Sequence, residues 1–149
     1  LPAEGPGTVK SLQVMDDDVE EAVAGDRVGI ALRNTKEDHL IGGSLIIHPA
    51  VEDKNKGISI PLSLEKHEKS SLELSISPFQ KRVLAIGDVV HASVDLQFVV
   101  GRVESIDSGL EVTWESPLFI RKENPPTVII AQLDSKPRIM GSAKLSRLS

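Results

Sequence analysis

The sequence predicts an all-β protein built from two antiparallel β-barrel modules. Apolar and polar residues alternate with a period of two in several short runs, which is typical of half-buried strands. Hydrophobic residues make up 40% of the chain but aromatic residues only 3%, and the 11 glycines and 9 prolines separate the runs. Short β-branched runs separated by turn residues are typical of antiparallel sandwiches and barrels. No segment shows a convincing helical period.

The first module, residues 1–50, contains the clearest alternation. Residues 28–32 place valine, isoleucine and leucine at every second position, and residues 9–14 form a similar earlier run. Between them, Gly25-Asp26 predicts a tight turn in which glycine adopts a positive φ. A last strand is predicted over residues 44–47, where His48-Pro49 ends it.

The second module, residues 58–149, follows a polar stretch at residues 51–57 that we interpret as a linker. Turn residues recur through this module at spacings that suit a sequence of hairpins. Its predicted strands are residues 58–64, 72–76, 89–94, 98–106, 110–114, 127–133 and 138–145. The intervening residues 64–72 are the only candidate for a helix, and they fit a strand end, a polar loop and a strand start equally well.

Three turns divide these strands most clearly. They are Gly87-Asp88, Asp107-Ser108-Gly109 and Asn124-Pro125-Pro126, of which the second predicts the best hairpin. Proline lacks the N–H that a β-ladder requires, so Pro117 and the two prolines of the third turn are expected at strand ends or edges.

Three segments together resemble a known protein family. Residues 9–14 read VKSLQV, residues 22–33 read AVAGDRVGIALR, and residues 40–45 read LIGGSL. In this order they resemble the second domain of the translational GTPases of the elongation factor Tu superfamily, with its V-x-S-I/L-Q-V, A-x-x-G-D-R-V-G-L/I-x-L-R and I-x-R-G-D-V-L segments. The resemblance is strongest to the selenocysteine-specific elongation factors and their archaeal-type relatives. Gly42-Gly43-Ser44 stands where the family has Arg-Gly-Asp.

The resemblance implies that the first barrel is incomplete at its N-terminus. Residues 1–7, LPAEGPG, are similar to a turn that the family places late in the first half of this domain. We therefore expect the chain to be a fragment that lacks the strands carrying the family's aminoacyl pocket.

The second module is similar to the third domain of the same family, which implies a complete C-terminal barrel. Arg138 and Gly141 match the family's closing R-x-V-G-x-G-x-V/L strand, and Ala143 occupies a position where glycine is usual. Residues 115–121 are similar to the family's L-x-x-P-x segment.

The sequence carries no motif for GTP chemistry or metal catalysis. It has neither a GxxxxGK[ST] phosphate loop nor an Asn-Lys-x-Asp motif, since Lys54-Asn55-Lys56-Gly57 ends in glycine. The four histidines lack metal-ligand spacing and are expected at the surface. Asp16-Asp17-Asp18 lacks the calcium-loop spacing and predicts a solvated acidic turn. We expect a chain that is not an enzyme and holds no cofactor, with GTP and Mg²⁺ bound only by a GTPase domain outside it.

The charge distribution suggests where RNA would bind. Residues 1–57 hold six lysines and arginines against eleven acids, whereas the remaining residues are balanced and no acid follows Asp134. Nucleic acid is held chiefly by cations that neutralise phosphates. Strand alternation places Arg138 and Lys144 on one face. The candidate nucleic-acid contacts are Arg33, Arg121, Lys122, Arg138, Lys144 and Arg147.

Together, these features predict a translation elongation factor of the selenocysteine-specific type or a relative. Its barrels would contact aminoacyl-tRNA and the ribosome beside the GTPase domain of the same parent protein. The alternative is a protein-interaction barrel from a degenerate paralogue without GTP or tRNA activity. No apolar run approaches the ~20 residues of a membrane span, so no membrane partner and a cytoplasmic location are expected.

Overall fold

The computed structural model describes residues 1–107 and 109–149, and in this part of the chain it contains no α-helix. A single 3-10 turn spans Glu37–His39, and the other regular elements are strands. The predicted all-β class is therefore confirmed. The chain divides into two compact units, Leu1–Leu45 and Ile46–Ser149, each of which has its own sheets.

The first unit is an open three-stranded antiparallel sheet. Its strands are β1 (Thr8–Val14), β2 (Asp17–Val19) and β3 (Val28–Arg33), in the order β2-β1-β3. Met15 and Asp16 join β1 to β2 with φ of 52° and 69°. Positive φ at both central residues is the type I′ geometry that suits the twist of a two-residue hairpin. Residues 16–18 are predicted as an acidic turn. Only Asp16 lies in the turn, because Asp17 and Asp18 belong to β2.

Apolar side chains on this sheet are only partly covered. Val14 lies opposite Val28, so these two side chains share a face, and both are half-buried. Within Leu1–Leu45, all of which the structure describes, no side chain is fully buried. The first unit therefore has a sheet but no closed core of its own.

The predicted strand at residues 44–47 is wrong. Gly43 has a φ of 85°, and the Ser44 amide donates to the Ile41 carbonyl at 3.1 Å, which makes a turn where the family motif would begin a strand. Leu45 instead meets the start of the chain. Its amide donates to the Leu1 carbonyl at 2.9 Å, and the Leu1 amine donates to the Leu45 carbonyl at 2.7 Å.

The second unit contains a small hairpin and a closed six-stranded barrel. The hairpin pairs β4 (Val51–Asp53) with β5 (Ile58–Ile60), so residues 51–57 contain β4 and its turn. The barrel order is β10-β11-β6-β9-β8-β7, and β10 closes it by pairing with β7. Its strands are β6 (Leu64–Ile76), β7 (Val89–Val94), β8 (Gln97–Ser105), β9 (Leu110–Arg121), β10 (Val128–Ala131) and β11 (Ile139–Leu148).

Alternation along the strands builds the barrel core. Ala92 lies opposite Val99 on one side and Ile130 on the other, and all three are buried. Directly opposed residues share one face of an antiparallel sheet, so this row points inward. Further buried side chains complete the interior, among them Leu72, Val90, Val103, Val112, Trp114, Leu118, Val128 and Met140.

The segment for which the sequence allows a helix, or a strand end, a loop and a strand start, is part of one continuous strand. Residues 64–72 form the first half of β6, which continues without a break to Ile76. The ladder to β9 shifts register between His67 and Lys69, and this irregularity removes the period of two. Pro117 lies within β9 rather than at its end. It falls between Thr113 and Leu118, where the same ladder is interrupted, so no ladder hydrogen bond is lost.

The two predicted Gly-Asp turns share one geometry. Gly25 has a φ of 102°, which confirms the positive φ predicted there, and Gly87 in the second turn has a φ of 87°. The Asp26 carboxylate accepts a hydrogen bond from the Val23 amide at 2.9 Å, and the Asp88 carboxylate accepts one from the Ala85 amide at 2.9 Å. The predicted hairpin turn at residues 107–109 includes Ser108, which lies outside the described residues.

Candidate nucleic-acid interface

Arg33 is the one candidate in the first unit. It is the last residue of β3, lies opposite Thr8, and is exposed. Side chains alternate between the two faces of a strand. Because Leu32 is half-buried on one face, the next side chain, Arg33, points towards water on the other. Arg33 therefore presents a cation at the end of an open sheet.

Arg121 and Lys122 lie at one end of the barrel. Arg121 ends β9, and its Nη2 lies 3.7 Å from Oδ1 of Asp95, which is in the loop between β7 and β8. The Lys122 amide donates to the Ser63 carbonyl at 3.0 Å, which fixes the backbone immediately after the strand. Both side chains are exposed, but the arginine charge is partly offset by the aspartate.

Arg147 belongs to the same end of the barrel through its side chain. Its Nη1 lies 3.9 Å from Oε1 of Glu65, whose register partner on β9 is Ile120, next to Arg121. The Arg147 side chain is 58% exposed. An ion pair this open to water is worth at most about 1 kcal/mol, so the guanidinium is able to exchange the carboxylate for a phosphate.

Lys144 lies along the outer surface of β11 and is exposed. It stands directly opposite Glu73 on β6, and both residues line a shallow depression together with Ser75 and Thr127. Opposite charges in direct cross-strand register attract one another. This part of the surface is therefore mixed in charge rather than basic.

Arg138 lies at the other end of the barrel. It precedes β11, and its carbonyl accepts a hydrogen bond from the Gln132 amide at 2.8 Å. At ~3.3 Å per residue, the spacing of nine positions from Arg138 to Arg147 separates their backbones by about 30 Å. The prediction that Arg138 and Lys144 share a face assumes unbroken alternation between them. A register shift between β10 and β11 interrupts that alternation, since the adjacent residues Met140 and Gly141 are both buried. Arg138 and Lys144 therefore do not share a face.

The barrel candidates thus occupy three places rather than one surface. Arg121, Lys122 and Arg147 share one end, Lys144 lies on the outer wall, and Arg138 lies at the opposite end. The three residues of the shared end are the best-grouped cations of the prediction. Asp95 and Glu65 lie among them, so this end has basic side chains with acidic neighbours.

A buried polar network lies behind this basic end, and it was missed from the sequence. The expectation that all four histidines lie at the surface is wrong, because His67 is 1% exposed and His91 is 9% exposed. His67 Nδ1 lies 3.0 Å from the Ser70 hydroxyl, which also accepts a hydrogen bond from Trp114 Nε1 at 2.9 Å. His67 Nε2 faces Glu65 Oε2 at 3.3 Å.

The hydrogen-bond donors in this network assign the proton on the imidazole ring. Since the Ser70 oxygen accepts from Trp114, its own hydrogen is free to point at Nδ1 of His67. The ring hydrogen then resides on Nε2 and faces Glu65. Burial lowers the pKa of His67 below its ordinary value of 6.5, and the Glu65 carboxylate opposes part of that effect. Arg147 acts in the same direction as burial.

The geometry offers no site for a metal ion within residues 1–107 and 109–149. No three histidine, aspartate or glutamate side chains come together there in a way that could ligate one. Within the same residues, no helix is long and apolar enough to span a membrane.

Comparison with known proteins finds a similar fold in one solved structure. The chain matches no protein-family model. The apo crystal structure of translation elongation factor SelB from Methanococcus maripaludis superimposes on all of this chain with a TM-score of 0.65 and 20% identity. This likeness shows a shared β-barrel fold. It spans 34% of that SelB chain.

A curated relative matches the chain in sequence. The uncharacterized protein MJ0325 of Methanocaldococcus jannaschii is 26% identical over 148 residues, which cover 97% of this chain. The match spans 42% of that protein, so well under half of the relative corresponds to the residues described above.

Proposed function

We propose that this chain is the β-barrel part of a translation elongation factor of the selenocysteine-specific type or a relative, and that its barrel contacts aminoacyl-tRNA. The observation that supports this most is the likeness to SelB, which extends over the whole chain at a TM-score of 0.65. Because fold alone does not determine function, the proposal depends on whether a particular surface binds RNA.

Arg121, Lys122 and Arg147 are the side chains proposed to meet the RNA backbone. They lie at one barrel end, they are exposed, and the ion-pair distances of 3.7 Å and 3.9 Å leave both arginines only loosely held. Guanidinium groups bind phosphate through two parallel N–H donors, which makes arginine well suited to this contact. The ribosome is proposed as a further partner of the parent protein.

GTP chemistry is proposed to reside in another domain of a longer parent protein. The 149-residue sequence has no phosphate loop, whose backbone amides and lysine would hold the nucleotide phosphates. We therefore propose that the chain itself is not an enzyme and holds no cofactor, and that GTP and Mg²⁺ bind to the separate GTPase domain. The cytoplasm, where translation takes place, is the proposed location.

One observation favours the alternative function, a protein-interaction barrel without tRNA or GTP activity. Three of the candidate cations of the barrel have a carboxylate beside them: Arg121 lies near Asp95, Arg147 near Glu65, and Lys144 opposite Glu73. The chain as a whole carries a formal charge of −5. Such a surface attracts polyanions less strongly than an unbroken basic patch would.

The test measures the affinity of the 149-residue chain for tRNA as a function of salt concentration. Fluorescence anisotropy with labelled tRNA at several salt concentrations would give the slope of log affinity against log salt. If the proposal holds, the double variant Arg121→Glu/Lys122→Glu should bind more weakly, and the salt slope should fall by about 2 because two phosphate contacts are lost.

The control is Lys81→Glu, which reverses the charge of an exposed side chain next to Gln80, whose side-chain amide donates to the Pro137 carbonyl at the Arg138 end of the barrel. It should leave the salt slope within error of the wild type. Equal low-salt affinity of the wild type and the double variant would reject the barrel-end contact. An absence of any salt-dependent binding to tRNA would favour the interaction-barrel alternative.

A further inference from the structure

One carboxylate at the basic end of the barrel lies between a buried ring and an exposed cation. Glu65 Oε2 lies 3.3 Å from Nε2 of His67, and Glu65 Oε1 lies 3.9 Å from Nη1 of Arg147. The His67 side chain is 1% exposed, whereas that of Glu65 is 40% exposed and that of Arg147 is 58% exposed. Glu65 therefore contacts the barrel interior with one oxygen and the proposed RNA-binding surface with the other.

Neither contact of Glu65 is a fully formed hydrogen bond. Nε2 of His67 is buried, yet it has no hydrogen-bond partner of good geometry among the described residues. The 3.9 Å to Arg147 is also longer than the about 2.7–2.9 Å of a charge-assisted hydrogen bond. The carboxylate is thus shared between two donors, and a small movement towards either donor would strengthen that contact and weaken the other.

Strand pairing brings these three side chains together. Glu65 and His67 are two residues apart on β6, so alternation places them on one face. Arg147 on β11 lies directly opposite Ser70, whose hydroxyl is 3.0 Å from the His67 ring. Directly opposed residues share a face, so Arg147 lies on the same side of the sheet as the buried network.

Two charged side chains face His67 from β6 and β11. On β6 the facing group is Glu65, because Lys66 and Glu68 are exposed on the other face and pair with each other at 3.2 Å. On β11 the facing group is Arg147. Burial lowers the pKa of His67 most, Glu65 opposes that effect, and Arg147 lowers the pKa further. The protonation of His67 therefore depends on how closely Arg147 holds Glu65.

The third neighbouring strand, β9, presents uncharged side chains beside the ring. Leu118 lies opposite His67, and the Trp114 indole donates to the hydroxyl that the ring also contacts. At the end of the same strand, Arg121 lies 3.7 Å from Asp95. Arg121 is thus a cation at the same barrel end with a different carboxylate partner, which makes it a matched control for the cation on β11.

We propose that this barrel end is a proton-linked anion site, in which a phosphate group displaces Glu65 from Arg147 and His67 takes up a proton from water. The site is the phosphate contact of Arg147 in the proposed function, so the linkage rests on that function. The displaced carboxylate stays near the anion, and a positive imidazolium beside it offsets their repulsion. The new proton resides on Nδ1, since Nε2 already carries the ring hydrogen, and Nδ1–H then donates to the Ser70 oxygen.

Phosphate binding and protonation that are linked in this way strengthen each other. Removing the Arg147 charge from Glu65 raises the pKa of His67, so the complex binds more protons than the unbound chain. Affinity for an RNA backbone should therefore increase as the pH falls from the pKa of His67 in the complex to its pKa in the unbound chain. The gain should be about two- to fivefold, the range that the exchange of one exposed ion pair allows.

Histidine NMR of the 149-residue chain tests the coupling without RNA. Arg147→Gln should raise the pKa of His67, because it removes the cation and leaves Glu65 to the ring alone. Arg121→Gln removes the matched cation and should leave the pKa of His67 at its wild-type value. Sodium sulfate, whose anion does not titrate in the histidine range, should raise this pKa relative to sodium chloride at equal ionic strength.

Fluorescence anisotropy with labelled tRNA, at about pH 7.5 and about pH 5.5, tests the linkage on RNA. The wild type should gain about two- to fivefold more affinity on acidification than His67→Gln does. Glu65→Gln, a change at a partly exposed position, should bind more tightly than the wild type at neutral pH and lose this pH dependence, because it releases Arg147 at every pH. His48→Gln changes an exposed histidine outside the barrel and should keep the wild-type dependence.

The outcomes separate this linkage from the proposed function. The linkage is overturned if Arg147→Gln leaves the pKa of His67 unchanged, or if the wild type, His67→Gln and Glu65→Gln gain affinity equally on acidification. Salt-dependent tRNA binding with equal gains would support the RNA contact and reject the linkage alone. A chain that binds no tRNA, but in which sulfate raises the pKa of His67, would reject the RNA contact and support the proton-linked anion site.

Discussion

The indole of Trp114 on β9 donates a hydrogen bond to the hydroxyl of Ser70 on β6 at 2.9 Å, inside the closed barrel. The same hydroxyl lies 3.0 Å from His67 Nδ1, so one serine serves two buried rings. Ser70 is fully buried, which leaves water no access to either ring nitrogen at this point. The network thereby links β6 and β9 at the point where the register of their ladder shifts, between His67 and Lys69.

The first prediction concerns the shared hydroxyl. Ser70→Ala should lower the free energy of unfolding by about 1–3 kcal/mol, because it leaves the indole N–H and His67 Nδ1 without a partner in the interior. Chemical denaturation followed by tryptophan fluorescence measures this directly, since the chain has one tryptophan. Ser71→Ala removes a hydroxyl from the next residue, which is only half-buried, and should cost far less. Equal costs would show that the network contributes little.

The second prediction concerns pH. His67 is neutral in the folded barrel because burial lowers its pKa below 6.5, whereas the unfolded chain titrates near 6.5. Below that pH the unfolded state binds more protons, so the free energy of unfolding should decrease as the pH falls. Protonation would also place a second donor opposite the Ser70 hydroxyl. Glu65 opposes the effect, and Arg147 reinforces it.

Thermal melts between about pH 5 and pH 8 would measure this dependence, since the interval brackets the ordinary histidine pKa. The melting temperature of His67→Gln should fall less between neutral and acid pH than that of the wild type. His48→Gln changes an exposed histidine outside the barrel and should keep the wild-type dependence. A wild-type slope in the His67 variant would exclude this histidine as its source.

The fold class could be predicted from the sequence because alternation survives wherever strands are regular. β7 was predicted with its observed ends, since Val89–Val94 is bounded by a Gly-Asp turn and pairs without irregularity with β8. Only the two ends of β6 are predicted as strand and residues 64–72 are left open, because a register shift after His67 interrupts the pattern. Local periodicity therefore predicts strands well until a bulge shifts the residues that face inward.

The candidate site was less predictable, because it depends on which strands are neighbours. Arg138, Lys144 and Arg147 are close in sequence, but β11 extends them along the barrel and places the first and last at opposite ends. Arg121 and Arg147 are far apart in sequence, yet the β6–β9 and β6–β11 pairings bring them to one end. The buried histidine was missed for the same reason, since its serine and tryptophan partners come from two strands.

The third prediction concerns the repeated Gly-Asp turn. Gly87→Ala should lower the free energy of unfolding by about 1 kcal/mol, because alanine is strained at a φ of 87°. The cost should be purely conformational, since a Cβ at this position would meet no atom within 4 Å. Gly87→Asn offers a matched comparison, because asparagine tolerates positive φ better than alanine does. If the alanine variant melts at the wild-type temperature, the turn does not need its glycine.

The fourth prediction concerns Gly141, which the family resemblance singled out on β11. Its φ lies outside the positive region, so the reason for glycine is close approach rather than backbone freedom. A Cβ added there would collide with the Ser75 carbonyl oxygen and would press on the Ile76 backbone. Backbone atoms cannot rotate away as a flexible side chain can, so the β6–β11 ladder itself would have to move. Overpacking in a close-packed interior typically costs about 1–3 kcal/mol, and Gly141→Ala should reach or exceed that range.

Urea unfolding of Gly141→Ala measures this cost, and hydrogen exchange should show the weakened protection concentrated in β6 and β11. Gly29→Ala is the control, since a Cβ there would have ordinary contacts no closer than 3.7 Å. That position lies in β3, outside the barrel, so the barrel amides should keep their wild-type exchange rates. A neutral Gly141→Ala would mean that β6 and β11 separate without cost, which contradicts a barrel closed by tight packing of these two strands.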